Sequence, residues 1–137
     1  DVMRVPLVLI SPRLTGQPKR QDVLGQQIDI APTILELLGL AAPTEWQGRS
    51  LFAADRPDRV YLFTGFHHYL FGIIEGRHKY VFDATTGQSM LYDLDRDPGE
   101  RVNLVRSSTD RTADLHRRLA SWVHFQNQYL SQFLPQP

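Results

Sequence analysis

The spacing of apolar residues changes twice along the chain, and each change marks a different kind of element. Val5-Pro6-Leu7-Val8-Leu9-Ile10 is an almost unbroken apolar run closed by Ser11-Pro12, the pattern of a strand covered on both faces within a parallel sheet. Pro6 has no N–H to give to a ladder, which puts it at the strand's start or edge. A polar loop with Gly16 and Pro18 follows over 15–21. Ile30, Ile34, Leu37 and Leu38 then recur at helical spacing. Asp29 is placed to cap this helix, Pro32 falls in its first turn where no N–H is needed, and Gly39 can supply a left-handed stop. The spacing predicts a helix between Asp29 and Gly39 that docks on the sheet. Residues 41–59 hold Pro43, Gly48 and Pro57 with no sustained period and read as a connector.

From residue 60 the period shortens. Residues 60–64, 69–75, 78–83 and 89–94 are short aromatic or β-branched runs, and Gly76 and Gly87 each lie between two of them. Glycine accepts positive φ without steric cost, so these positions suit tight hairpin turns. Four antiparallel strands result. Beyond Thr109 the period lengthens again. Leu115, Leu119, Trp122, Gln126, Tyr129 and Phe133 follow offsets of three and four, with Arg111, Asp114, Arg117 and Arg118 assigned to the other side. This amphipathic helix should cover the small sheet, giving one layered unit over 60–134.

The expected fold class is therefore α/β, or α+β for the chain by itself. A buried strand and helix, with their connector over 1–59, close a large α/β domain. A small subdomain over 60–137 follows, with a four-stranded antiparallel sheet packed on a C-terminal helix.

Composition narrows the function classes. With 42% hydrophobic residues the chain has enough apolar content to fold, which excludes disordered and collagen-like classes. Fifteen basic residues against 15 acidic ones, interspersed, leave no electrostatic footprint for nucleic acid or anionic lipid. No apolar run approaches the roughly 18 residues that span a bilayer, so no membrane segment is expected. The absence of cysteine removes disulfides, thiolate catalysis and zinc–thiolate sites together. The chain opens at Asp1 with no targeting signal and reads as a piece of a longer protein.

Several segments invite a chemical reading. Asp93-x-Asp95-x-Asp97 has the spacing of calcium-loop carboxylates, but Pro98 and Leu104 stand where such a loop needs glycine and a bidentate glutamate. A turn over Asp97-Pro98-Gly99-Glu100 is the simpler account. His67-His68 lies between two aromatic strands, where an imidazole can meet an anionic ester, although neighbours on a flat strand face opposite ways. Arg77-His78-Lys79 offers positive charge beside a turn. His116 and His124, eight apart on the last helix, miss the i, i+4 spacing of a metal helix and read as surface or rim residues. Ser11 lacks the flanking glycines of a nucleophile elbow. The chain's own chemistry gives no catalytic residue and no metal ligand.

Taken together and in order, five segments resemble the C-terminal portion of the sulfatase family, within the alkaline-phosphatase-like superfamily. They are Arg4-Val5-Pro6-Leu7; Asp29-Ile30-Ala31-Pro32-Thr33-Ile34-Leu35 with Leu38-Gly39; Gln47-Gly48-Arg49-Ser50-Leu51; Gly76-Arg77-His78-Lys79-Tyr80; and Leu91-Tyr92-Asp93-Leu94 with Asp97-Pro98-Gly99-Glu100 and Asn103-Leu104. The resemblance implies a protein several times longer that cleaves sulfate esters with a formylglycine nucleophile and a divalent metal, calcium or magnesium. In the family both precede the Arg-Val-Pro strand, so no cofactor, catalytic residue or metal ligand carries over to this chain.

The implied partners are the N-terminal catalytic part of the same protein and a sulfate-ester substrate. The resemblance favours an extracytoplasmic or periplasmic location. This segment would be scaffold and pocket rim, with His67, His68 and Tyr69 as the substrate-binding candidates. Two other readings stay open: the end of a metal-dependent phosphoglycerol or phosphoethanolamine transferase with a threonine nucleophile, and a non-catalytic interaction module. An exposed apolar surface would argue for a piece that needs its large domain, and by itself such a piece would self-associate.

Overall fold

The computed structural model describes residues 5–10, 20 and 22–133. Four strands, β1 (Arg59–Thr64), β2 (Leu70–Glu75), β3 (His78–Asp83) and β4 (Gln88–Asp93), form an antiparallel meander in sequence order. The turns close where glycine was placed: Gly76 has φ +56° and Gly87 φ +72°. Register aligns Tyr61, Ile73, Tyr80 and Leu91 in one row across all four strands. Because side chains alternate, that row faces one side of the sheet, where α2 (Thr109–Ser131) delivers Leu115 and Leu119.

Ile73, Tyr80, Leu91, Leu115 and Leu119 are fully buried and make up the core. The phenol of Tyr80 meets Ser89 Oγ at 2.8 Å and His116 Nδ1 at 2.9 Å, so its polar end is satisfied inside an apolar layer. Burial pushes its pKa up, against the Ser89 hydrogen bond. Tyr61 stacks flat on Trp122 with ring centres 4.7 Å apart, extending the layer to the β1 edge.

The α/β class and the sheet-plus-helix layer agree with the sequence reading. Four details do not. The expected stripe of α2 is fully buried at Leu115 and Leu119, half-buried at Trp122, Gln126 and Tyr129, and exposed at Phe133. A 23-residue helix is about 35 Å long, whereas six-residue strands span about 20 Å. Phe133, at the end of that stripe, therefore lies past the sheet and stays exposed, as do Phe125 and Leu130 outside the stripe. Arg111 and Arg118 do not face away from the sheet either; they reach Glu75 at the end of β2, at 3.2 and 3.5 Å, with Asp114 between them.

The third difference is at the start of the chain. Residues 5–10 form no strand, and Val5 and Ile10 are 82% and 92% exposed. A parallel strand gets its hydrogen bonds from neighbours, and none pairs with it among the described residues. Arg4, residues 11–19 and Gln21, including the Ser11-Pro12-Arg13 turn, lie outside the described residues.

A 3-10 turn over Gln27–Asp29 leads into α1 (Ile30–Leu37). The helix ends as its sequence predicts. Gly39 sits at φ +72°, its N–H bonds Glu36 O at 3.0 Å, and Leu40 N–H bonds Leu35 O at 2.9 Å, the paired closure of a left-handed helix stop. Its apolar stripe was expected to dock on a sheet. Instead Ile34, Leu37 and Leu38 are exposed, because the small sheet already uses α2 as its cover.

The uneven burial of α2 has a measurable consequence. Leu115→Ala should cost about 2–5 kcal/mol, as deletions in a packed core do, while Phe125→Ala should cost less than about 1 kcal/mol. Urea midpoints of the 137-residue chain read both, and equal losses would show that the helix is covered along its whole length.

Candidate substrate-rim site

In a meander the first and third connections fall at the same end of the sheet. The β1–β2 loop, residues 65–69, therefore lies beside the β3–β4 turn, residues 84–87. Their backbones are tied directly: Ala84 N–H bonds Tyr69 O at 2.9 Å, and Tyr69 N–H bonds Thr85 Oγ1 at 3.0 Å. The same end carries a buried carboxylate, Asp83, the last residue of β3.

Asp83 Oδ1 accepts the N–H groups of Thr85 and Thr86, at 2.9 and 3.2 Å, and so shapes the turn. Its Oδ2 takes His68 Nδ1 at 2.7 Å. Burial alone raises this carboxyl's pKa, but the hydrogen bonds from His68, Thr86 and the two backbone N–H groups outweigh it and bring it down to about 2. Of the three expected rim residues, His68 is the one whose side chain has a polar partner. Tyr69 is exposed and held by its main chain. His67 lies edge-on to Phe66, with ring centres 5.0 Å apart, and takes no part in the Asp83 contact.

The remaining conspicuous residues hold loops together. Asp29 is buried; its Oδ2 takes Gln26 N–H and the Arg56 guanidinium, and its Oδ1 takes Arg49 N–H, each at 2.9 Å. Thr33 Oγ1 accepts Leu51 N–H at 2.9 Å. Gly48 crosses so close to the 3-10 turn that a Cβ there would lie 1.9 Å from Ile28 O. The Asp-Ile-Ala-Pro-Thr and Gln-Gly-Arg-Ser-Leu segments are thus the two halves of one clasp. A hydrogen bond from Tyr61 N–H to Gln26 Oε1, 3.2 Å, joins it to the β1 edge.

The later motifs behave alike. Lys79 is buried and grips Glu100 through both carboxylate oxygens, at 2.8 and 2.7 Å. Arg77 lies 3.3 Å from Asp93, so the Arg77-His78-Lys79 triplet is no free cationic row. Asp93 caps the N–H groups of Asp95 and Arg96, and Asp97 those of Arg101 and Val102. Asn103 Oδ1 accepts Leu91 N–H at 3.0 Å, lashing the segment before α2 to the edge of β4.

Among the described residues no group of three or more His, Asp or Glu converges as a metal site. Of the carboxylates spaced like a calcium loop, Asp93 and Asp97 serve backbone donors, so the set is not arranged around an ion. The face of the sheet away from α2 carries a depression of about 190 Å³ lined by residues including Leu62, Gly72, Val81 and Met90, below the roughly 300 Å³ at which ligand pockets begin. A wider, open depression of about 540 Å³ lies between the β1 edge and α2, lined by residues including Arg59, Tyr61, Arg118 and Trp122; the β1–β2 loop is where the expected rim residues stand. That reading missed Asp83, although Asp83-Ala84-Thr85-Thr86-Gly87 has the composition of a turn in which aspartate bonds the next N–H groups.

A four-stranded meander backed by one long helix, with loops clasped by buried carboxylates, defines a small sheet-and-helix layer. The chain belongs to the family described as N-sulphoglucosamine sulphohydrolase, C-terminal, which matches residues 1–124. It is 31% identical over 120 residues to the Delta 4,5-hexuronate-2-O-sulfatase of Bacteroides thetaiotaomicron, covering 77% of this chain and 25% of that protein. It is 27% identical over 143 residues to Arylsulfatase K of Mus musculus, covering 90% and 25%. A solved structure in complex with its substrate D-glucosamine-2-N,6-O-disulfate superposes with a TM-score of 0.61 at 23% identity, over 75% of this chain and 24% of that one. The chain spans about a quarter of the length of the curated relatives it matches.

The Asp83 network predicts an acid response. A carboxyl whose folded pKa is about 2, against an ordinary 3.8, contributes stability that is complete above 3.8 and lost as pH falls toward 2. Urea midpoints between pH 5 and pH 2 should decline less steeply in Asp83→Asn than in the parent, and parallel curves would remove Asp83 as a source of that decline.

Proposed function

We propose that this chain is the C-terminal part of a sulfate-ester hydrolase acting on sulfated saccharides, in which it serves as scaffold and pocket rim. The family match over residues 1–124 carries this reading. The saccharide class is supported by relatives and neighbours: one is described as a hexuronate-2-O-sulfatase, and another is bound to D-glucosamine-2-N,6-O-disulfate as its substrate.

The nucleophile, formylglycine, and the divalent ion belong in this reading to the part of the protein that precedes the 5–10 segment. The ion's chemistry there is to neutralise the sulfuryl oxygens as the ester bond breaks. No residue of this chain is asked to ligate it. Two surfaces suit the large domain as their cover, the exposed apolar side chains of residues 5–10 and the stripe of α1. Left bare, both cost free energy in water and favour association.

His67, His68 and Tyr69 form the rim in this proposal. They stand on a loop fastened to the β3–β4 turn, so they can meet the leaving group without the sheet having to move. Loops on a rigid scaffold are where specificity is ordinarily carried.

The test is sulfate release by the intact protein from sulfated disaccharides. Replacing both His67 and His68 with alanine should lower kcat/KM by about 10- to 100-fold, the scale of one or two charge-assisted hydrogen bonds, with the thermal midpoint retained. The 137-residue chain alone should release none. An unchanged kcat/KM in the double variant would remove the rim assignment, and absence of sulfatase activity in the intact protein would remove the class.

A further inference from the structure

We propose that Asp83 is a positioning residue that locks His68 in one tautomer, so that His68 Nε2 accepts a hydrogen bond from a hydroxyl group on the substrate's saccharide. The inference rests on the rim reading above and adds to it the partner, the atom and the chemistry of the group recognised.

Three observations carry it. Asp83 is buried and its other oxygen is held by two backbone N–H groups, so the carboxylate cannot rotate away. Being ionised, it can only accept, and the 2.7 Å contact therefore requires the hydrogen on His68 Nδ1. In the neutral imidazole this leaves Nε2 with a lone pair and no hydrogen. Nε2 has no hydrogen-bond partner among the described residues, and the His68 side chain is 48% exposed.

The Asp83 carboxylate is buried while the imidazole it holds is half exposed, so the contact leaves the far side of the ring open to solvent. Orienting an imidazole so that its free nitrogen stays available is what the arrangement does accomplish. A fixed acceptor discriminates sharply for a hydroxyl, because a substrate without one leaves the acceptor unpaired once water is excluded. Phe66 and Tyr69 on the same loop are both largely exposed.

The experiment has a spectroscopic arm and a kinetic arm. In the ¹⁵N-labelled protein at pH 8, the His68 ring nitrogens should report hydrogen on Nδ1. In Asp83→Asn the carboxamide can turn its NH₂ toward Nδ1, and the hydrogen should move to Nε2. The asparagine keeps an oxygen for Thr85 and Thr86, and His68→Ala, in an exposed loop, serves as the second variant. With the intact protein, both substitutions should lower kcat/KM for a sulfated disaccharide by about 10- to 100-fold and lower it less for 4-nitrophenyl sulfate, which has no hydroxyl.

A wild-type His68 carrying its hydrogen on Nε2 would overturn the proposal. So would saccharide turnover lost in His68→Ala but unchanged in Asp83→Asn, an outcome that leaves the rim reading standing. If His68→Ala has no effect on either substrate, the proposal fails, and the double variant of His67 and His68 then decides the rim reading.

Discussion

A buried carboxylate must be met by hydrogen-bond donors, and this constraint shapes the loops around Asp29, Asp83 and Asp93. Asp29, Asp83 and Asp93 are all buried, and each is surrounded by backbone N–H groups and at least one cationic or imidazole side chain. Leaving such a group without donors costs several kcal/mol. Among the described residues no buried side-chain polar atom is left without a partner. The segments that resemble sulfatases are, read this way, carboxylates together with the donors that satisfy them: Asp29 with the Gly-Arg-Ser backbone, and Glu100 with Lys79.

The same constraint separates the two ends of the sheet. At the β2–β3 end Glu75 is met by Arg59, Arg111 and Arg118, and Asp93 by Arg77, so the acids there are matched by permanently charged guanidinium groups. Burial, Arg111 and Arg77 together push the His78 imidazole's pKa down at that end, against the pull of Asp93 and Asp95. At the other end Asp83 is met by one imidazole and by backbone. The first end fastens helix to sheet. The second holds a group whose free nitrogen is open to a ligand.

Legibility in the sequence followed the range of the interaction. The strands were readable because alternation and two turn glycines are local signals, and the end of α1 because Gly39 is one too. The strand expected over residues 5–10 depends on partners that the sequence pattern cannot supply, and the same holds for the uncovered stripe of α1. Phe133 was legible as part of the apolar stripe but not as exposed, since its burial depends on how far the sheet extends beneath the helix. His67, His68 and Tyr69 could be singled out as residue types. The link from His68 to Asp83 spans 15 positions and exists only once two connections fold to one end of the sheet.

That last link could have been inferred from topology alone. In an up-and-down meander, odd-numbered connections share one end, so a polar residue in the first loop and an aspartate closing the third strand are brought near each other before any packing detail is known. Register then selects the pair. Leu70 stands opposite Asp83 on the β2–β3 ladder, and His68, two residues before Leu70, arrives just beyond the end of β3 as the chain turns in. The geometry of the candidate site is thus a consequence of strand order and loop length, and the chemistry follows from which two residues those lengths bring together.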